Sequence, residues 1–211
     1  VGDRSFGKGT VQTLTPLTEG QLKITESKFY RISGDSTQHR GVVPDVTFPS
    51  LYDSEQIGES ALDHALDWDK INAVRHRRYD DLSTVLPRVT SLFEQRSDKN
   101  PDFVYLEDRI ALAAETRQMK ALPLNEEARI ALREGQEAKA LQIENKRRLA
   151  LGEEPLASLD DEEAEEDNAD ESVDDEQEDE PDVLLSEAGN VLVDALVLKQ
   201  QRYAAHAAKE D

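Results

Sequence analysis

The sequence contains no cysteine and only one methionine and one tryptophan. Without cysteine there is no disulfide, thiolate nucleophile or thiolate metal ligand, and the chain is compatible with either a reducing or an oxidising compartment. Long hydrophobic runs are also lacking: none approaches the roughly 20 apolar residues that a membrane-spanning helix needs. The four histidines, His39, His64, His76 and His206, are scattered without H-x-H or H-x-x-x-H spacing, so no histidine metal site is indicated. No stripe of Lys and Arg interleaved with aromatics runs through the chain, which argues against nucleic acid as a partner.

Acid is what the sequence has in excess, with a formal net charge of -21. Of 46 acidic residues, 16 fall between positions 160 and 182, where no Lys or Arg stands, leaving 30 acids against 25 bases elsewhere. The body is therefore only mildly acidic, and the run itself cannot bury enough apolar surface to fold. We expect it to be a solvated, disordered insert, since its irregular spacing lacks the pattern of a calcium-binding loop. Val1 leads directly into a Gly-rich motif without initiator Met or leader, so we expect a C-terminal fragment of a longer protein.

The pattern predicts an α+β layout. "VQTLTPL" and "QLKITESKFYRI" alternate apolar and polar residues about a "TEG" turn, predicting a hairpin that buries Leu22, Ile24 and Phe29. "VVPDVTF" reads as a short strand made irregular by Pro44, whose presence also spoils Asp45 as a Walker-type acid. Helices follow: one over about 86–97, one from the Asn100 cap and Pro101 to about Met119, and one from Asn125 to about Ala150 with Gly152 beyond. The charges of 125–150 suggest a solvated helix with i,i+4 ion pairs. A last helix over about 184–206 would place Leu185, Ala188, Leu192, Ala195 and Leu196 on one buried face. Trp68, in "ALDWDKI", is expected to anchor the β portion to the helical region.

Chemistry concentrates in "VGDRSFGKGTVQ", residues 1–12. Gly2 to Lys8 satisfies G-x-x-x-x-G-K, but Gly9 stands where a phosphate-binding loop needs the Ser or Thr hydroxyl for Mg²⁺, and a strand-like segment follows instead of a helix. Ser5 and Lys8 form an S-x-x-K pair, yet Gly7 and Gly9 disfavour the helical turn that would join them, and the companion S-D-N and K-T-G motifs are absent. In the third reading Lys8 is the base of a Ser/Lys dyad whose serine lies upstream; a lysine serves as base only when neutral, a state that burial favours. A bare G-K-G equally allows an exposed turn lysine.

"VGDRSFGKGTVQ" followed by "LKITESKFYRISGDSTQHRGVVPDV" resembles the end of the protease domain of the C-terminal processing peptidases, serine protease family S41. With "ALDWDKI" and "LNEEAR" the resemblance extends over the chain and narrows to the tail-specific branch of Gram-negative bacteria. It implies that Lys8 is the general base and that Gln12 orients it, with the nucleophilic serine and a PDZ domain upstream. It also implies protein substrates with apolar C-terminal tails, a periplasmic location, and no metal or cofactor. An envelope adaptor protein and peripheral membrane association are compatible with it. The domains would be 1–50, the end of the S41 domain; 51–158, a helical C-terminal domain; 159–182, the acidic insert; and 183–211, the final helix. The fragment alone would be inactive. The contrasting possibility is a non-catalytic helical interaction module. In a flat strand the Cα atoms of Lys8 and Gln12 would lie about 13 Å apart, against about 6 Å in a compact turn, so the paired role predicts a turn over 8–12.

Overall fold

A computed structural model describes residues 1–52, 58–77, 81–159 and 182–207, the side chains of 205–207 excepted. Most of the acidic run, residues 160–181, lies outside the described residues, and with it the expectation of disorder. The architecture is α+β: an antiparallel hairpin of β1 (Thr10–Pro16) and β2 (Gln21–Lys28), then α1 (Leu86–Ser97), α2 (Pro101–Arg117), α3 (Glu126–Leu151) and α4 (Val183–Ala207). The chain forms two compact units, Val1–Arg88 with Val193–Asp211, and Val89–Leu192.

In the first unit the hairpin pairs Thr10 with Lys28 and Pro16 with Gln21 around a loop of residues 17–20. No second layer covers this ribbon among the described residues, so Leu22, Ile24 and Phe29 are exposed rather than buried: alternation marks a face but does not supply its cover. "VVPDVTF" forms no strand. It makes one parallel bridge, Thr47 to Gly2, where Gly2 N–H donates to Val46 and Phe48 N–H to Gly2, each at 3.0 Å. Pro44 has no N–H to extend the pairing, and a bend follows it at 45–46. Val46 and Phe48 are nonetheless buried.

Residues 58–77 are largely irregular, with a short 3-10 turn at Glu59–Ala61. They are tied down by backbone bonds: Ser36 N–H donates to Asp69, Ile71 N–H to Gly34 and Val74 N–H to Ile32, at 2.9–3.0 Å. Trp68 belongs to this attachment, its indole N–H donating to the Ser36 carbonyl at 2.9 Å beneath the Arg40 guanidinium, 3.8 Å from the ring centroid. It therefore docks the irregular segment, not a helix, onto the 36–40 loop. Lys70 pairs with Asp35 at 2.8 Å, and this bond, with help from the Ser33 hydroxyl, holds the Asp35 carboxyl below its ordinary range.

The helices of the second unit begin and end where their caps dictate. Asn100 Oδ1 accepts from Asp102 N–H ahead of Pro101, and Asn125 Oδ1 accepts from Ala128 N–H, both at 2.9 Å. Gly152 closes α3 at φ 85°, a left-handed position that costs glycine little. Asp182, the last acid of the run, caps α4 by accepting from the N–H groups of Leu184 and Leu185. Phe93 of α1 and Phe103 of α2 meet edge to face at 5.8 Å, in a core with Val89, Leu156 and Val191.

The i,i+4 pairing expected of α3 is present at Arg133–Glu137, and three other bases of α3 reach across to α2: Arg147 to Asp102 at 2.6 Å, and Lys146 to Asp108 and Lys139 to Glu115 at 2.5 Å. The expectation for the last helix is corrected. On α4 the buried positions are Glu187 and Val191, while Leu185, Leu192 and Leu196 are exposed. The Arg96 guanidinium meets Glu187 at 2.7 Å, so an ion pair turns a face containing a carboxylate inward.

Asn145 makes a reciprocal pair with the backbone of Leu156, donating to its C=O at 3.0 Å and accepting its N–H at 2.6 Å. It folds the segment after α3 back along the helix and seats Leu156 in the core. Asn145→Ala should cost about 1–3 kcal/mol, read as a lower urea midpoint and faster hydrogen exchange at the Leu156 amide. Gly34 sits at φ 86°, and a Cβ there would lie 2.0 Å from the Ile71 carbonyl oxygen. Gly34→Ala should therefore open the 69–74 attachment, at about 1–3 kcal/mol, and make that segment more susceptible to limited proteolysis.

Candidate active site

The motif around Lys8 is an extended segment pressed against the loop of residues 37–42. His39 N–H donates to Gly7 C=O at 2.6 Å, Ser5 N–H to Val42 C=O at 3.1 Å, and Val42 N–H to Ser5 Oγ at 2.7 Å. The glycines make this approach possible: a Cβ on Gly7 would lie 2.4 Å from His39 O, and one on Gly9 would lie 2.4 Å from Gln38 N. Glycine flanks Lys8 because two backbones touch there, not because the chain turns.

Two of the three chemistries read from the motif find no support in this geometry. Ser5 Oγ is occupied by the Val42 N–H, and no bond joins it to Lys8 among the described residues. A strand, β1, follows Lys8, so no helix N-terminus is presented where a phosphate would sit. Asp45 is exposed on a bend.

Lys8 Nζ donates to Gln12 Oε1 at 3.2 Å. The turn expected over 8–12 is not there, because the strand has already begun at Thr10. Lys8 and Gln12 share one face of an extended segment, and their long unbranched side chains lean along it far enough to meet. A β-bulge reinforces the local twist: Glu26 is the extra residue of β2, between the pairs Val11–Ser27 and Gln12–Thr25. Gln12 in turn donates from Nε2 to Thr25 Oγ1, its cross-strand partner, at 3.3 Å.

Two residues of the site were not legible in the sequence. Gln38 is fully buried, accepting Gly9 N–H on Oε1 at 2.8 Å and donating from Nε2 to Glu59 Oε1 at 3.4 Å. That carboxylate oxygen lies 3.7 Å from Lys8 Nζ, with the Glu59 side chain 10% exposed and that of Lys8 39% exposed. The one available signal was the pair of glycines, which demands a neighbouring backbone without saying which. Of the histidines, His39 joins this loop through its backbone at φ 61°, and His76 Nδ1 lies 2.9 Å from Val74 O. No group of His, Asp and Glu arranged to hold a metal occurs among the described residues, and no helix there is long and apolar enough to cross a membrane.

Comparison with known proteins places these residues. Residues 1–48 match peptidase family S41, and residues 52–197 match the family described as the C-terminal domain of tail specific protease. The tail-specific protease of Haemophilus influenzae is 35% identical over 173 residues, which cover 76% of this chain and 25% of that protein. A carboxy-terminal-processing protease of Bartonella bacilliformis is 42% identical over 69 residues, 29% of this chain and 16% of that protein. The chain thus spans about a quarter of the length of the first relative and less of the second. It belongs to the tail-specific protease family, as that family's C-terminal domain preceded by a segment of peptidase family S41.

Proposed function

We propose that this chain is the C-terminal part of a serine endopeptidase that processes or degrades proteins from their C-terminal tails, with Lys8 as its general base. The 3.2 Å bond from Lys8 Nζ to Gln12 Oε1 carries this reading. Gln12, itself held by Thr25, fixes the direction of the amine, as an orienting group does in other nucleophile–base pairs.

In the complete enzyme an upstream serine hydroxyl attacks the peptide carbonyl while its proton passes to neutral Lys8 Nζ. Lys8 then gives that proton to the leaving amine, whose C–N bond breaks to leave an acyl-serine ester. Water repeats the sequence, its proton going to Lys8 as the ester opens, and returns the serine. We assign residues 1–50 to the end of the S41 domain, 51–158 and 183–211 to the helical C-terminal domain, and 159–182 to an acidic insert. A PDZ domain upstream would present apolar C-terminal tails, and the periplasm, with an envelope adaptor and peripheral membrane contact, is the setting this function fits.

Lys8→Ala in the full-length enzyme should lower kcat/KM for a peptide with an apolar C-terminus by about 10³-fold or more, with the fold retained by circular dichroism. Wild-type turnover would rule out the base and favour a non-catalytic helical interaction module. Gln12→Ala should cost roughly 10- to 100-fold, mainly in kcat, because it misdirects the amine without removing it. Residues 1–211 alone should show no hydrolysis; measurable cleavage by the isolated chain would overturn the upstream serine.

A further inference from the structure

Thr10 stands between Lys8 and Gln12 in the sequence and, by the alternation of an extended segment, on the face that those two residues share. The residue is buried, 6% exposed, and its Oγ1 has no hydrogen-bond partner among the described residues. We propose that this hydroxyl is a second acceptor for the Lys8 amine, and that with Gln12 it fixes the direction in which the amine meets the upstream serine. Thr10 is then a positioning residue, and the inference rests on the reading of Lys8 as general base.

A buried hydroxyl without a partner is a net cost to the fold, and valine would fill the same space without it. Because the atom is closed to solvent, a partner has to come from the side chains that share its face. Lys28, the cross-strand partner of Thr10, is drawn off to the 67–69 segment, its Nζ donating to Asp67 C=O at 2.7 Å and to Asp69 Oδ1 at 3.2 Å. Gln12 Nε2 is engaged by Thr25 Oγ1 at 3.3 Å. Lys8 has capacity left. A lysine nitrogen carries more than one N–H; Gln12 Oε1 takes one at 3.2 Å, and Glu59 Oε1, at 3.7 Å, lies beyond hydrogen-bond distance. The movement needed belongs to Lys8, since threonine is stiff at χ1 whereas the lysine stem, which runs from position 8 toward position 12, turns about several single bonds.

One hydrogen bond sets a distance but leaves the amine free to turn about it. Two bonds, to acceptors on the same face, fix both the position of Nζ and the direction of its remaining valence, the one that faces the serine hydroxyl in the complete enzyme. Unproductive orientations are thereby removed from the bound state, so the benefit falls on kcat rather than on KM. The two acceptors act as a unit: once either is gone the amine turns about the other, and their contributions are not additive. The γ-methyl of Thr10 has no part in this, and valine retains it.

The test uses the full-length protease and the same apolar-tailed peptide. Thr10→Val keeps the shape of the side chain and removes the acceptor; its kcat should fall about fivefold to tenfold, with KM unchanged and a melting temperature equal to or above that of the wild type. Thr10→Ser keeps the acceptor and should stay within about twofold of wild-type kcat. In a Gln12→Ala background, where the amine has already lost its direction, adding Thr10→Val should cost no more than about twofold. Wild-type kcat in Thr10→Val, a loss confined to KM, or the same or a larger factor in the Gln12→Ala background would overturn the second acceptor and leave Thr10 a filler of the strand face. If thermal melting shows that Thr10→Val is unfolded, Thr10→Ser and Thr10→Ala decide: a several-fold higher kcat for the serine variant upholds the proposal, and equal values overturn it. An active Lys8→Ala enzyme would remove the underlying base assignment, whereas an inactive one beside a Thr10→Val enzyme of wild-type kcat would remove only the second acceptor.

Discussion

The contact on which the site depends is the approach of two backbones, residues 5–9 and 37–42, at Gly7 and Gly9. Side chains at either glycine would hold the segments apart, since each Cβ would fall 2.4 Å from an atom of the opposing chain. Contact at this range brings the Gly7 carbonyl to the His39 amide and the Gly9 amide to the Gln38 side chain. Gln38 is then wholly buried, and a buried amide must satisfy both of its ends. One end takes Gly9 N–H; the other turns to Glu59, and Glu59 comes to stand beside Lys8. The surroundings of the lysine amine thus follow from the absence of two side chains.

The two compact units are held together by different physics. In the first, the ribbon exposes Leu14, Leu22 and Ile24 on its faces, and cohesion comes largely from backbone bonds between non-repetitive segments, with Val46 and Phe48 as a small apolar centre. Such structure is intolerant of altered backbone geometry, which is why positive-φ glycines recur at its junctions, Gly34 and Gly41 among them. In the second, long capped helices bury a few aromatic and aliphatic side chains and bring charge inside with its partner: Glu144 with Arg147, and Glu187 with Arg96. Removing one member of such a pair is costly, because the remaining charge is left in a poor solvent.

What the sequence revealed followed the range of the interaction. Asn100–Pro101, Asn125 and Gly152 fix helix ends through bonds spanning two to four residues, so α2 and α3 begin and end within about two residues of the positions read from them. The hairpin was legible for the same reason. The inward face of α4 was not: the leucines at 185, 192 and 196 look like a core stripe, but the face turned inward carries Glu187, whose burial depends on Arg96, 91 positions earlier. At the site, Lys8 and Gln12 were found through a family resemblance and meet along one face of the extended segment that leads into β1. Gln38 sits in a polar stretch that reads as loop, and Glu59 in a stretch assigned to the helical domain; nothing local distinguishes a buried glutamine or glutamate there from a solvated one.

The residue type at position 38 follows from the two groups it must serve. Gly9 offers an N–H and Glu59 offers a carboxylate, so the bridging side chain needs an acceptor at one point and a donor at another, both on a stem long enough to run between them. A glutamate would accept from Gly9 but face Glu59 with a second negative charge. A lysine would answer Glu59 yet leave the Gly9 amide unpaired and place a cation beside Lys8. A methionine could fill the space and satisfy neither group, stranding two buried polar atoms. Glutamine is neutral and two-ended, which leaves Lys8 as the one cation against the Glu59 carboxylate among the described residues. The charge relation between the two segments is thus set by an uncharged side chain that touches neither the amine nor the solvent.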